Sequence, residues 1–197
     1  MRTWASPRGP WASLALASAA ALGVGAGCVG TTDRSDFNEE IQARGGGLTS
    51  DLPSSAVDAV AASLRVDDFA VRTLTVTPLD GTVVLDVRDP AVPENLDRYV
   101  VHRGSVWQVE PIRLTAGDDL DIQTFRVSDV ALDQVEVMVD TALAGFAADG
   151  YVTSLTIYRR ADDTAGDIVI TLALESPRAA GTALFTGDGD LMEVVRA

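Results

Sequence analysis

Lysine is absent from this sequence, and histidine and cysteine occur once each, as His102 and Cys28. A lone cysteine cannot close an intrachain disulfide, and one histidine cannot build the His/Cys cluster of a zinc site. A serine triad would depend on His102, which alternates with Val101 in a predicted strand beside Arg103, and no G-x-S-x-G elbow accompanies it. All 15 basic residues are arginine, dispersed among 29 acids for a formal net charge of −14, which excludes a phosphate-rich nucleic acid partner. GVGAG and RGGG neither follow a strand nor open a helix, so no nucleotide site is expected. Acids gather at Asp118, Asp119 and Asp121, around Asp162 to Asp167, and at Asp188 and Asp190, without the spacing of an EF-hand. Asp-Gly pairs between apolar runs are ordinary hairpin turns. No catalytic residue, metal or cofactor is therefore predicted.

The start of the chain carries an address. Arg2 and Arg8 precede the apolar stretch WASLALASAAALGVGAG, which runs to Cys28 in the layout of an export signal. An uncleaved anchor helix is the rival, since no charge lies between Arg8 and Asp33, but Pro10, Gly23, Gly25 and Gly27 favour cleavage. An unpaired thiol at that junction suits processing: it would take a diacylglyceryl thioether and become the acylated N-terminus. GAGC resembles the lipobox of bacterial lipoproteins, with Ala26 and Gly27 ahead of Cys28 and with Gly25 where an aliphatic residue is usual. The resemblance implies a protein held at the outer face of the cytoplasmic membrane by acyl chains, each buried methylene contributing about 0.8 kcal/mol. Plain secretion is the alternative. Losing residues 1–27 removes Arg2 and Arg8, leaving 13 Arg against 29 acids and a net charge of −16. An anionic leaflet repels such a body, so lipid would hold it there.

Residues 28–53, rich in Gly, Thr, Ser and Asp, read as a lipidated start and flexible tether. The rest shows an internal repeat. In residues 54–110, Val57, Val60, Ala61 and Leu64 recur at helical spacing, with Asp51 or Ser54 as N-cap candidates. The period then becomes two: Leu74 and Val76 alternate with Thr73, Thr75 and Thr77, Asp80-Gly81 turns the chain, and Val83, Leu85 and Val87 alternate back. RYVVH and VWQV complete four strands. After a connecting segment, 111–130, that lends a strand through Ile122 to Val127, residues 131–197 repeat the order. Val135, Val139, Ala142, Leu143 and Phe146 mark a helix capped by Ser128 or Asp129, and four strands follow. Leu74 aligns with Leu155, Pro90 with Pro177 and Gly104 with Gly189, at offsets of 81, 87 and 85.

The prediction is an α+β protein: two tandem helix-plus-four-stranded antiparallel meander units packed as one body. That order resembles PepSY-type and β-lactamase-inhibitor-protein-like domains in topology alone, and one unit resembles a cystatin; the resemblance implies a sheet surface that meets a partner protein. The Arg-only, Ala- and Val-rich composition, FNEEIQARGGG and SPRAAGTALFTGDG resemble uncharacterised actinobacterial lipoproteins. Tyr99, Trp107, Tyr158 and Phe185 on predicted strands are the expected binding surface, since aromatic anchors dominate interface energies. The function expected is a lipid-anchored extracytoplasmic binding or accessory domain, not an enzyme, whose partner is an envelope protein or peptide. A carrier of lipid or another hydrophobic ligand is the rival, and a hydrolase using Asp118 and Asp121 the third reading.

Overall fold

A computed structural model of the chain describes residues 46–147, 149–160 and 166–197. Cys28, the export signal and most of the expected tether lie outside the described residues. The elements in order are α1 (Asp51–Leu64), β1 (Ala70–Thr77), β2 (Thr82–Arg88), β3 (Leu96–His102), β4 (Ser105–Pro111), α2 (Leu120–Gln123), β5 (Phe125–Arg126), α3 (Val135–Phe146), β6 (Tyr151–Arg159), β7 (Ile168–Ser176), β8 (Ala179–Thr186) and β9 (Leu191–Arg196). The strands form one antiparallel sheet in the order β4-β3-β2-β1-β6-β7-β8-β9, and β5 pairs with the start of β1.

Strict alternation gives the sheet one apolar face. On β1, Leu74 and Val76 are fully buried, whereas Thr73, Thr75 and Thr77 on the opposite side are half-buried. The two longer helices cover the apolar face, α1 over β2 to β4 and α3 over β7 to β9. Ala56 and Val60 of α1, and Met138, Val139, Ala142 and Phe146 of α3, join Leu74, Leu85, Leu155, Ile157 and Leu172 in one core. Each such large apolar side chain contributes roughly 1.5–3 kcal/mol on burial, and helices this short need that support. Arg65, at φ 60°, ends α1 with a left-handed cap whose N–H bonds to the Ala61 carbonyl.

At the centre, β1 and β6 pair through Leu74 with Ile157, Thr75 with Thr156 and Val76 with Leu155. Four bulges interrupt the ladders. Arg72 is the extra residue where β1 meets β2, Thr153 where β6 meets β7, Trp107 where β4 meets β3, and Met192 where β9 meets β8. Each bulge bends its strand and sharpens the local twist.

Several expectations need correction. α1 begins at Asp51 and Leu48 is buried, so the folded body starts upstream of residue 54. Asp51 and Ser54 lie inside the helix; Ser50 precedes it, and its hydroxyl bonds the Asp133 carbonyl at 3.0 Å. Ser128 and Asp129 do not cap α3, because a 3₁₀ turn over Leu132–Gln134 intervenes. Ser128 instead donates to Asp68 at 3.0 Å. Of the predicted connecting strand, Phe125–Arg126 pairs with β1, whereas Ile122 belongs to α2 and is exposed.

Candidate functional site

The face turned away from the helices is rich in hydroxyls and is covered in part, since Val169 and Leu96 on that side are each 1% exposed. A row running Gln108, Val100, Val84, Thr75, Thr156, Thr171, Leu184 follows the pairing from β4 to β8 and carries no charge. On β9 the row reaches a charge, Glu193 opposite Leu184.

Charge collects beyond one end of that row. The bulge at Arg72 turns its guanidinium toward Asp86, which is 2% exposed, at 3.2 Å. Arg98 on β3 grips the same carboxylate at 2.8 and 3.1 Å. Asp118 reaches Arg72 at 3.4 Å and Asp121 reaches Arg88 at 2.8 Å, so the connecting segment is tied down over this end of the sheet. Burial pushes the Asp86 pKa up, but hydrogen bonds from Arg98 and then Arg72 outweigh it and hold the carboxyl below its ordinary value. Within the network the buried Asp86 carboxylate accepts from both Arg98 and Arg72, while Asp121 at its edge stays exposed. Among the described residues no group of three or more His, Cys, Asp or Glu is placed to hold a metal, and no helix is long and apolar enough to cross a membrane.

A groove of about 490 Å³ opens at the corner where β2, β3 and β4 meet, lined by Asp80, Thr82, His102, Ser105, Val106 and Trp107. Asp80 arrives from a 3₁₀ turn, Pro78–Asp80, closed by Gly81 at φ 59°. The β3–β4 hairpin turns through Arg103 and Gly104, both at positive φ, and brings Ser105 back beside His102. Thr82 and His102 pair across the strands, with Oγ1 and Nδ1 3.4 Å apart. Trp107, the bulged residue, is 78% exposed.

Of the four aromatics expected to form a binding surface, Trp107 is accessible. Phe185 and Tyr99 are corrections: Phe185 is 1% exposed opposite Ile170 and Tyr99 is buried opposite Leu85, both on the helix side. Tyr158 lies half-buried on the side away from the helices, opposite Thr73. It sits four strand spacings from Trp107, roughly 19 Å, so the two belong to separate places. Asp80 comes to the groove from a turn, Thr82 from β2, His102 from β3, and Ser105 and Val106 from β4; the turn signal at Asp80-Gly81 foreshadows the corner. A second depression of about 420 Å³ lies at the opposite corner, beside Arg159, Arg160, Asp167, Asp188 and Met192.

No family model matches the chain, and no curated protein matches it. The crystal structure of a "putative lipoprotein (CD1622)" from Clostridium difficile 630 is similar, with a TM-score of 0.54 and 12% identity, covering 73% of this chain and 91% of that one. At that identity the likeness is one of fold. It is a helix-backed antiparallel sheet that the two share.

Proposed function

We propose that this chain is a lipid-anchored extracytoplasmic binding module, held by acylated Cys28, that takes an envelope protein or peptide in the Trp107 groove. The observation that carries the reading is a large aromatic 78% exposed over an open groove, on a body whose core is otherwise closed. Aromatic side chains left in solvent beside a concavity are the usual anchors of interfaces. The likeness in fold to a structure described as a lipoprotein agrees with the anchor, as does the lipobox-like GAGC. A lipid carrier would need an apolar cavity between helices and sheet. That layer is filled by Val60, Leu74, Leu85, Met138 and Phe146, all at 1% exposure or less.

The body itself we read as two copies of one helix-plus-four-strand unit. Arg72 and Thr153 differ by 81 in number, Trp107 and Met192 by 85, the same offsets that align Leu74 with Leu155 and Gly104 with Gly189. The central pairing fits a two-fold relation as well, because an offset of 81 exchanges the pair Leu74–Ile157 with Val76–Leu155.

A photo-crosslinking residue at position 102, which lines the groove and leaves Trp107 in place, compared in intact cells with one at the exposed Asp58 of α1, tests the binding reading. A discrete adduct from 102 alone supports it; equal or absent adducts from both positions sink it.

A further inference from the structure

We infer that the Trp107 groove receives a cationic side chain, arginine or lysine, from a basic peptide segment. This rests on the binding reading above and names the partner's chemistry.

The second half of the chain serves as an internal control. At the matching place on β9 the same bulge is built around Met192, and Thr186 stands on β8 where His102 stands on β3. The fold therefore requires neither an indole nor an imidazole at these positions. Carboxylates border both places, Asp80 here and Asp167 and Asp188 beside Met192, so what the first half adds is the aromatic platform.

The chemistry of Trp107 and Asp80 together selects a cation. An indole face is the strongest π partner for a positive charge held within about 6 Å of it. Asp80, exposed in the same groove, supplies the counter-charge, and the Thr82 and Ser105 hydroxyls supply acceptors. No arginine lines the groove. The field of the whole chain, at a formal −14, draws cations toward it and turns anions away. A neutral sugar would use the indole but gain nothing from Asp80 or from that field. Arg103, whose side chain passes close to Gly81 on the adjoining turn, is the neighbouring charge that an incoming cation must overcome.

The test is fluorescence anisotropy of labelled hexa-arginine with the detergent-solubilised full chain, using hexaglutamate and a Gly-Ser peptide as comparisons. Hexa-arginine should bind and the others should not. Trp107→Ala and Trp107→Met should each weaken binding about tenfold; the methionine variant keeps the side chain that β9 carries in its own bulge. Asp80→Asn should weaken it about threefold, and Asp58→Asn on α1 should leave it unchanged. Arg103→Ala should tighten it. Parental affinity in both Trp107 variants, an equal loss in Asp58→Asn and Asp80→Asn, or equal binding of the Gly-Ser peptide would overturn the inference. Should position 102 still yield its adduct in cells while hexa-arginine fails to bind, the ligand class falls and the binding reading stands. Failure of both experiments removes both.

Discussion

Asp86 on β2 and Arg98 on β3 face each other in register and are joined by two hydrogen bonds, Nε to Oδ1 at 2.8 Å and Nη2 to Oδ2 at 3.1 Å. Arg72 reaches the same carboxylate at 3.2 Å, so removing Asp86 takes the bidentate partner from Arg98 and leaves Arg72 with Asp118 alone of its two acids.

The folded Asp86 carboxyl titrates below its unfolded value of about 3.9. Its contribution to stability is thus fully present above that value and is lost as pH falls through the folded pKa. Asp86→Asn should lower stability at pH 7 by about 2 kcal/mol, less than for a fully buried pair because Arg98 is half exposed. Urea unfolding at pH 7 and at about pH 3 checks this: the gap between parent and variant should narrow in acid. A gap independent of pH would contradict the assignment.

Gly181 on β8 admits no side chain. A Cβ there would lie 2.6 Å from the Val195 carbonyl oxygen and 2.7 Å from Cε2 of Phe146. Gly181→Ala should cost about 1–3 kcal/mol by overpacking, read as a lower melting temperature. Combining it with Phe146→Leu should lose less than the sum of the two single changes, because the ring is one of the two obstacles, while the Val195 carbonyl oxygen remains as the other.

Core and groove should separate cleanly in stability. Leu74→Ala, at a position with no exposure, should cost about 2–5 kcal/mol. Trp107→Met should shift stability by no more than about 0.5 kcal/mol, since its side chain stands in solvent. Denaturant midpoints of the two variants decide the matter, and a large loss in Trp107→Met would make that residue structural.

Cys28→Ala should move the protein from the membrane pellet to the soluble fraction, and the mature N-terminal peptide of the parent should carry the mass of its acyl chains. Unchanged fractionation, or a bare thiol in the parent, would remove the anchor.

Alternation made the sheet and its helices legible. Leu74 and Val76 against Thr73, Thr75 and Thr77 fixed which side of β1 meets the core, and the helical spacing of Val135, Val139, Ala142 and Phe146 gave α3. Parity followed through each hairpin would also have sent Tyr99 and Phe185 inward with Leu85 and Ile170. The bulges break that parity and were missed, although the sequence holds their signal. Val71 and Leu74, Val152 and Leu155, Val106 and Val109, and Leu191 and Val194 each stand three apart, where an unbroken strand would space them by two. The start of α3 was obscured because Ser128 finds Asp68, far away in sequence, and not the helix. The groove was hardest to foresee. Its six lining residues come from a turn and three strands, and only closing the β3–β4 hairpin assembles them.

The outermost strands, β4 and β9, each carry a kink at Trp107 or Met192. A straight border invites a neighbouring molecule to zip onto it backbone to backbone, and repetition of that event grows fibres. With both borders bent, copies crowded side by side can touch without stitching into a continuous ribbon.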